Sequence, residues 1–290
     1  MKFAHSFWSK PLLCKKFNDL RVGLAVTLVD YALSVEFIHR NGYEIELYAD
    51  KEGAYILSEI PYDKVHIIEN TITDNYHFAA SIKFEALKRM NLEDCLIDGD
   101  IFLSKGRVFS EIEKSNSDVT CSFFEGEHLV KNCEFADEMF EILCKYDFKY
   151  PYTVPIKNKC DGWYNTSIIK FGNQQLKDEY IKQYIEHVNK LKDIDFKNVW
   201  PDLIIEQRNL TQYCRANNLK INTILKDFPS KESYEYANLI GFNHLGSTKE
   251  SFQNTFVKIL ASLNLELLQK INLFINIYET NYVHKTDEPS

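Results

Sequence analysis

The chain has 290 residues, 45% hydrophobic and 26% charged, which fits a globular protein built on one sizeable α/β domain. Its formal net charge of −8 argues against a nucleic-acid binder, which would need a basic face to neutralise phosphates. Seven scattered cysteines with no C-x-x-C pair or zinc-ligand spacing read as reduced thiols of a cytoplasmic protein, and with no signal-peptide core and no apolar run of roughly 18 residues, any membrane contact is expected to be peripheral, at the inner face.

Residues 2–8 read as a first strand running into a loop that ends at Pro11, with His5, Ser6 and Trp8 near its C-terminal end, a common ligand position in open α/β sheets. Taken alone, Trp8 reads better as apolar cover for the sheet edge. Apolar residues at helical spacing predict a helix over 24–39, stopped by Asn41-Gly42. Residues 44–50 alternate like a strand and end in an acid, Asp50. A short strand at 65–68 precedes a helix at 78–90, with Phe78, Ile82 and Leu87 on its apolar side and Lys83 and Lys88 on other faces.

Beyond residue 105 the pattern predicts a helix at 106–115, a strand at 118–124 and a helix around 135–146, then a break at 150–155 set by Pro151 and Pro155. Gly162 and the small polar residues Asn165, Thr166 and Ser167 read as a turn entering a strand at 168–171. Helices follow at 174–191 and 200–218. The second has Pro201 and Asp202 in its first turn and Glu206-Gln207 a full turn on, Glu206 reading as a solvated helix acid or a functional one. Residues 252–278 form a strongly apolar helix, expected to pack against the body or a second subunit, and the polar end after Asn281 should fray.

Two carboxylates, Asp98 and Asp100, sit inside the apolar run Cys95-Leu96-Ile97-Asp98-Gly99-Asp100-Ile101-Phe102-Leu103. The run reads as a buried strand of a covered parallel sheet. Carboxylates are rarely buried unless paired or bound to metal, which places them where the strand ends in a cleft. On a regular strand, residues i and i+2 share a face, so both acids could reach one hard cation, and Gly99 would let another group approach the backbone. Asp-Gly is also a hairpin dipeptide, but the apolar residues crowding both sides disfavour that reading.

Taken in order, Ile97-Asp98-Gly99-Asp100, Gly162-Trp163-Tyr164-Asn165-Thr166, Glu206-Gln207 and His244-Leu245-Gly246-Ser247-Thr248-Lys249 resemble the motifs of GT-A nucleotide-sugar-dependent glycosyltransferases, most closely the retaining, family-8-like enzymes. The resemblance spans roughly residues 1–250 and implies a Rossmann-like, mostly parallel sheet flanked by helices as the catalytic domain, with 251–290 as a C-terminal helical extension. It implies that Asp98, Asp100 and His244 hold Mn²⁺ or Mg²⁺ on the donor diphosphate, with Gly246 and Lys249 as diphosphate contacts, although Gly246 stands only two residues after the histidine, off the family's spacing. The same resemblance places His5, Ser6, Trp8 and Asp50 at the base and ribose, Lys83 and Gly99 near the diphosphate, Asn165 and Gln207 at the donor sugar or acceptor, and Glu206 as base or sugar ligand. The implied partners are a UDP-sugar donor and a glycan or lipid-linked acceptor; the apolar face of the C-terminal helix, not the resemblance, suggests a homodimer as one way of covering it. A sugar nucleotidyltransferase, or an inactive binding protein of the same shape, are the alternatives. The first would carry a Gly-rich phosphate loop, whereas residues 1–25 contain only Gly23.

Overall fold

A computed structural model describes residues 1–14, 20–126, 162–194, 196, 201–228, 231–244 and 249–286. The expected helix at 135–146 and the break at 150–155 lie outside them.

The chain opens with β1 (Phe3–Phe7), the short helix α1 (Ser9–Cys14) and the long helix α2 (Leu20–Arg40), and returns as β2 (Ile45–Ala49), parallel to β1 with Phe3 opposite Ile45 and Phe7 opposite Ala49. Then come α3 (Lys51–Ile56), the parallel edge strand β3 (Lys64–Ile67), α4 (Ser81–Leu87) and β4 (Cys95–Ile97), which joins the other side of β1. The strand order therefore reverses between β1 and β4. Such a switch point leaves a crevice at the carboxyl ends of the two strands, where open α/β sheets bind ligands.

Past β4 the chain makes β5 (Ile101–Leu103), α5 (Gly106–Glu113), β6 (Val119–Gly126), β7 (Gly162–Phe171) and α6 (Gln174–Leu191). A π-helical turn (Leu203–Arg208), α7 (Asn209–Ala216), β8 (Ile221–Phe228), α8 (Lys231–Ile240) and β9 (Phe242–His244) follow, and α9 (Lys249–Leu263) and α10 (Leu265–Thr286) end the described chain. The main sheet runs β3-β2-β1-β4-β7-β6-β8, and β5 and β9 form a separate two-stranded sheet. Only β7 runs against its neighbours β4 and β6, so the architecture is the mostly parallel, helix-flanked α/β sheet expected.

Two apolar layers cover the sheet. Phe3, Ile45, Leu47, Cys95 and Ile97 point to the side of α2, α9 and α10, while Ala4, Tyr48, Leu96 and Ile169 meet α4 and α6. This period-two split explains the near-continuous hydrophobic strands, which are buried on both faces. α2 is long and apolar enough to cross a membrane by length and composition, yet over half of its most apolar stretch is buried. Leu24, Leu28, Leu33 and Ile38 supply that face.

The C-terminal segment packs against this same body. Gln253 on α9 donates to Ala25 O, Arg40 donates to Leu263 O, and Arg21 pairs with Glu279 at 2.7 Å, so α9 and α10 both pack on α2. The single helix expected at 252–278 is two. Asn264 breaks it, its side chain accepting from Leu267 N–H and donating to Glu36. α10 also continues to Thr286, past the expected fraying at 281.

Four further differences come from tertiary context. The turn predicted around residues 162–167 is the first half of ten-residue β7. The single helix predicted at 200–218 carries a π-turn before α7, a distortion found disproportionately at functional sites. β8 and α8 have no counterpart in the sequence reading. The run 95–103 is not one strand: β4 leaves the main sheet after Ile97, and the chain resumes as β5 in the small sheet, with Asp98-Gly99-Asp100 as the turn between.

Candidate functional site

The turn has a simple cause. Asp98 N–H donates to Ser167 O at 2.8 Å, a last ladder bond to β7, and Ile101 N–H closes back on Asp98 O at 3.1 Å. Between them Gly99 lies against the Tyr31 ring, so closely that a Cβ there would fall 2.2 Å from a ring carbon. Only glycine lets the chain pass. The two acids are therefore presented by a turn between sheets, neither by one strand face nor by a hairpin.

β5 then pairs antiparallel with β9, Ile101 opposite His244. This register sets His244 Nε2 3.8 Å from Asp100 Oδ2, both side chains largely buried. Asp98 faces the other way. Its Oδ1 lies 3.3 Å from Lys83 Nζ, and its side chain remains 41% exposed.

Lys83 is buried, contrary to the solvent-facing placement its helix spacing implied; α4 is covered along its whole length, and all seven of its residues are buried. The lysine's three donors are all used: Thr166 O at 2.7 Å, Glu206 Oε1 at 2.8 Å and Asp98 Oδ1 at 3.3 Å. Burial works against its charge, but Asp98 and Glu206 outweigh it and hold the ammonium above its ordinary range. Glu206, on the π-turn, also accepts from the Thr166 hydroxyl at 2.6 Å. Asp202, one turn earlier, accepts from Ala80 N–H at 2.8 Å and Tyr184 O–H at 2.7 Å. Burial and then Glu206 push Asp202 up to about 7. Burial likewise raises Asp98 to about 6, opposed by Lys83 and reinforced by Asp100 and Glu206.

These groups enclose one end of a cavity of about 290 Å³ at the switch point. Lys83, Asp98, Asp202 and Glu206 line its polar wall, while Ser6, Phe7, Trp8 and Tyr31 line the side made by the end of β1 and by α2. Ser6 and Trp8 thus border the cavity, and Trp8, only 7% exposed, also covers the sheet.

Other expected contributors stand elsewhere. His5 is fully buried on the α2 face, because strand alternation turns it away from Ser6; its Nδ1 bonds Tyr62 Oη at 2.8 Å and its Nε2 bonds Ser34 Oγ at 3.0 Å. Burial lowers its pKa to about 3, and it takes no part in the cavity. Asp50 is the N-cap of α3, accepting from Gly53 N–H, and its oxygens also take the N–H and hydroxyl of Ser9. Its role is to join β2, α1 and α3. Asn165 bridges Glu125 and Ser167 N–H on β6 and β7, and Gln207 lies outside the cavity wall. Gly246 lies outside the described residues. Lys249 begins α9, and its side chain is not described.

Tyr31, Thr166 and Asp202 enter the site without having been singled out. The pair Asp202 and Glu206, spaced i and i+4 around the apolar run Leu203-Ile204-Ile205, is a signal that could have marked the last; Tyr31 sits mid-helix and gives none.

A cation fits part of this arrangement. A carboxylate and an imidazole within 3.8 Å suit Mn²⁺ or Mg²⁺ with remaining positions left to water or phosphate oxygens. Among the described residues, however, no three His, Cys, Asp or Glu side chains already converge as a metal-binding group, since Asp98 is turned to Lys83.

The fold and crevice define an α/β protein of the doubly wound, ligand-binding type. Within that class the chain belongs to the family described as a family of unknown function (DUF6734), whose model matches residues 1–272. No curated protein matches the sequence. Among solved structures the chain is similar to an active-site mutant of LgtC at 12% identity and a TM-score of 0.40, covering 77% of this chain and 72% of that one. It is likewise similar to the galactosyltransferase LgtC in complex with donor and acceptor sugar analogues, at 12% identity and a TM-score of 0.42, covering 77% and 73%.

Proposed function

We propose that the chain is a metal-dependent glycosyltransferase that moves a sugar from a nucleotide-sugar donor, a UDP-sugar, to a glycan or lipid-linked acceptor, with retention at the anomeric carbon. The supporting observation is the Asp98-Gly99-Asp100 turn, whose Asp98 lines the cavity at the switch point and whose Asp100 meets His244 across the small sheet. Three acids line the cavity (Asp98, Asp202 and Glu206), with Lys83 paired to Asp98 and Glu206, and Asp100 follows on the same turn beside His244. A diphosphate entering such a crevice needs a counter-charge that the described side chains do not supply, and this favours a bound cation.

Asp100 and His244 would hold the ion, with the open side of Asp98 beside it. When bound, the ion supplies charge neutralisation to the departing diphosphate. The chain's own residues do the rest. Lys83 ties Asp98, Thr166 and Glu206 into one rigid wall, leaving Glu206 Oε2 as an acceptor with no protein donor among the described residues. Trp8 and Phe7 close the opposite side and restrict water.

The test is hydrolysis and transfer from a panel of nucleotide sugars with and without Mn²⁺, with Mn²⁺ binding followed in parallel. Asp100→Asn and His244→Ala should each lower Mn²⁺ affinity at least about tenfold, as loss of one good ligand does. Release of pyrophosphate from a nucleoside triphosphate and a sugar phosphate would instead identify a nucleotidyltransferase. Mn²⁺-independent turnover in wild type would overturn the metal assignment.

A further inference from the structure

The cavity's polar wall is unbalanced. Three of the groups lining it are acids (Asp98, Asp202 and Glu206) and one is a lysine. All three N–H donors of Lys83 are already spent on Thr166 O, Glu206 Oε1 and Asp98 Oδ1. The other side-chain donors on the described wall, the Ser6 and Tyr31 hydroxyls and the Trp8 indole, are uncharged, and the Tyr31 hydroxyl is given to Ser6 O. Glu206 is 6% exposed and has one oxygen bound by Lys83 and Thr166, while its second takes no protein donor among the described residues. Glu206 lines the cavity, so a donor on whatever fills the space can reach an acceptor there. A ligand carboxylate would meet like charge at close range, and among the described residues that line the cavity no ammonium or guanidinium other than Lys83 stands ready to pair with it, which is costly at low dielectric.

We infer that the site selects an uncharged, hydroxyl-rich sugar and rejects one carrying a carboxylate. The inference rests on the nucleotide-sugar reading above and narrows it: the donor's sugar offers hydroxyl hydrogens to Glu206 and Asp202, while a uronic acid is excluded by the unspent negative charge of the wall. Selection of this kind works by repulsion of the wrong substrate as much as by attraction of the right one.

UDP-glucose and UDP-glucuronate test it, since they differ only by a hydroxymethyl group against a carboxylate at one carbon. Their dissociation constants are measured by calorimetry on the full chain with Mn²⁺ at pH 8. Wild type should bind the glucuronate at least about tenfold more weakly. The Glu206→Gln variant, its fold checked by circular dichroism, should shrink that ratio to about threefold or less, and Asp202→Asn serves the same purpose if the first variant fails to fold. A wild-type ratio near one, or in favour of the glucuronate, overturns the inference and leaves the nucleotide-sugar reading standing. A tenfold ratio that neither folded variant reduces overturns the assignment of the selection to this wall. Absence of binding by both UDP-sugars in the presence of Mn²⁺ removes this inference and the reading beneath it together.

Discussion

Replacing Lys83 by methionine tests the charge balance on which the cavity wall depends. Methionine keeps the length of the stem and deletes the ammonium. Lys83 and Glu206 have side chains only 7% and 8% exposed and lie 2.8 Å apart, so the variant leaves a buried carboxylate without its partner. Removing one member of a buried ion pair costs about 3–5 kcal/mol. Most of that falls on Glu206, because Asp98, with 41% of its side chain exposed, is screened by water. Urea denaturation at pH 8 should therefore show a loss of about 3 kcal/mol with an unchanged m value. Adding Glu206→Leu should restore all but about 1 kcal/mol, since apolar replacement of a buried pair is often nearly neutral. A Lys83→Met loss under about 1 kcal/mol, or a double variant less stable than the single one, would refute the view that this lysine is the structural counterion of the wall.

Asp202 is raised from 3.8 to about 7, so between those values the native state binds more protons than the unfolded chain and stability falls as pH rises. Asp202→Asn, able to accept from Ala80 and donate to Tyr184, should flatten this slope and be more stable than wild type at pH 8 by on the order of 2 kcal/mol, with no gain at low pH; parallel slopes in thermal melts would contradict the assignment. Gly99→Ala should cost about 1–3 kcal/mol by driving a methyl into Tyr31, and trimming the ring with Tyr31→Leu in the same chain should recover part of the loss, so an unaffected melting point in the single variant would sink the packing argument. Leu260→Ala, at a fully buried site on α9, should lose about 2–5 kcal/mol in a single cooperative transition shared with the sheet, and a separate early transition would show that the C-terminal helices unfold on their own.

The parallel strands and their helices could be read from the sequence because their signals are local. Apolar runs covered on both faces, the Asn41-Gly42 stop and the period-two pattern of residues 44–50 each act within a few residues. The acid turn was legible as chemistry but not as geometry: nothing near Gly99 announces that Tyr31, far back in the chain, is the surface it must clear. His5 illustrates the reverse error. Its place at the end of a first strand pointed toward a ligand, but one step of alternation turned it to Ser34 and Tyr62 in the core. The burial of Lys83 and Asp202 was hidden for a similar reason, since their partners come from β7, the π-turn and α6, and a charged residue on a helix is not seen to be covered until the elements packed against it are known.

The separation of β5 and β9 along the chain sets a timing constraint on synthesis. β4 and its parallel neighbours can assemble once the first hundred or so residues have left the ribosome, but β5 then has an open edge and Asp100 has no imidazole opposite it until Phe242–His244 arrives. Pairing across so long a stretch is slow to form, because loop closure must be accomplished before any contact repays it. A nascent or prematurely terminated chain ending before β9 would therefore carry the acidic turn without its His244 partner. On the cation site proposed above, ribosome-stalled chains that stop well before and well after His244 should differ sharply in Mn²⁺ retention, and equal retention would show that β9 is not needed for the site.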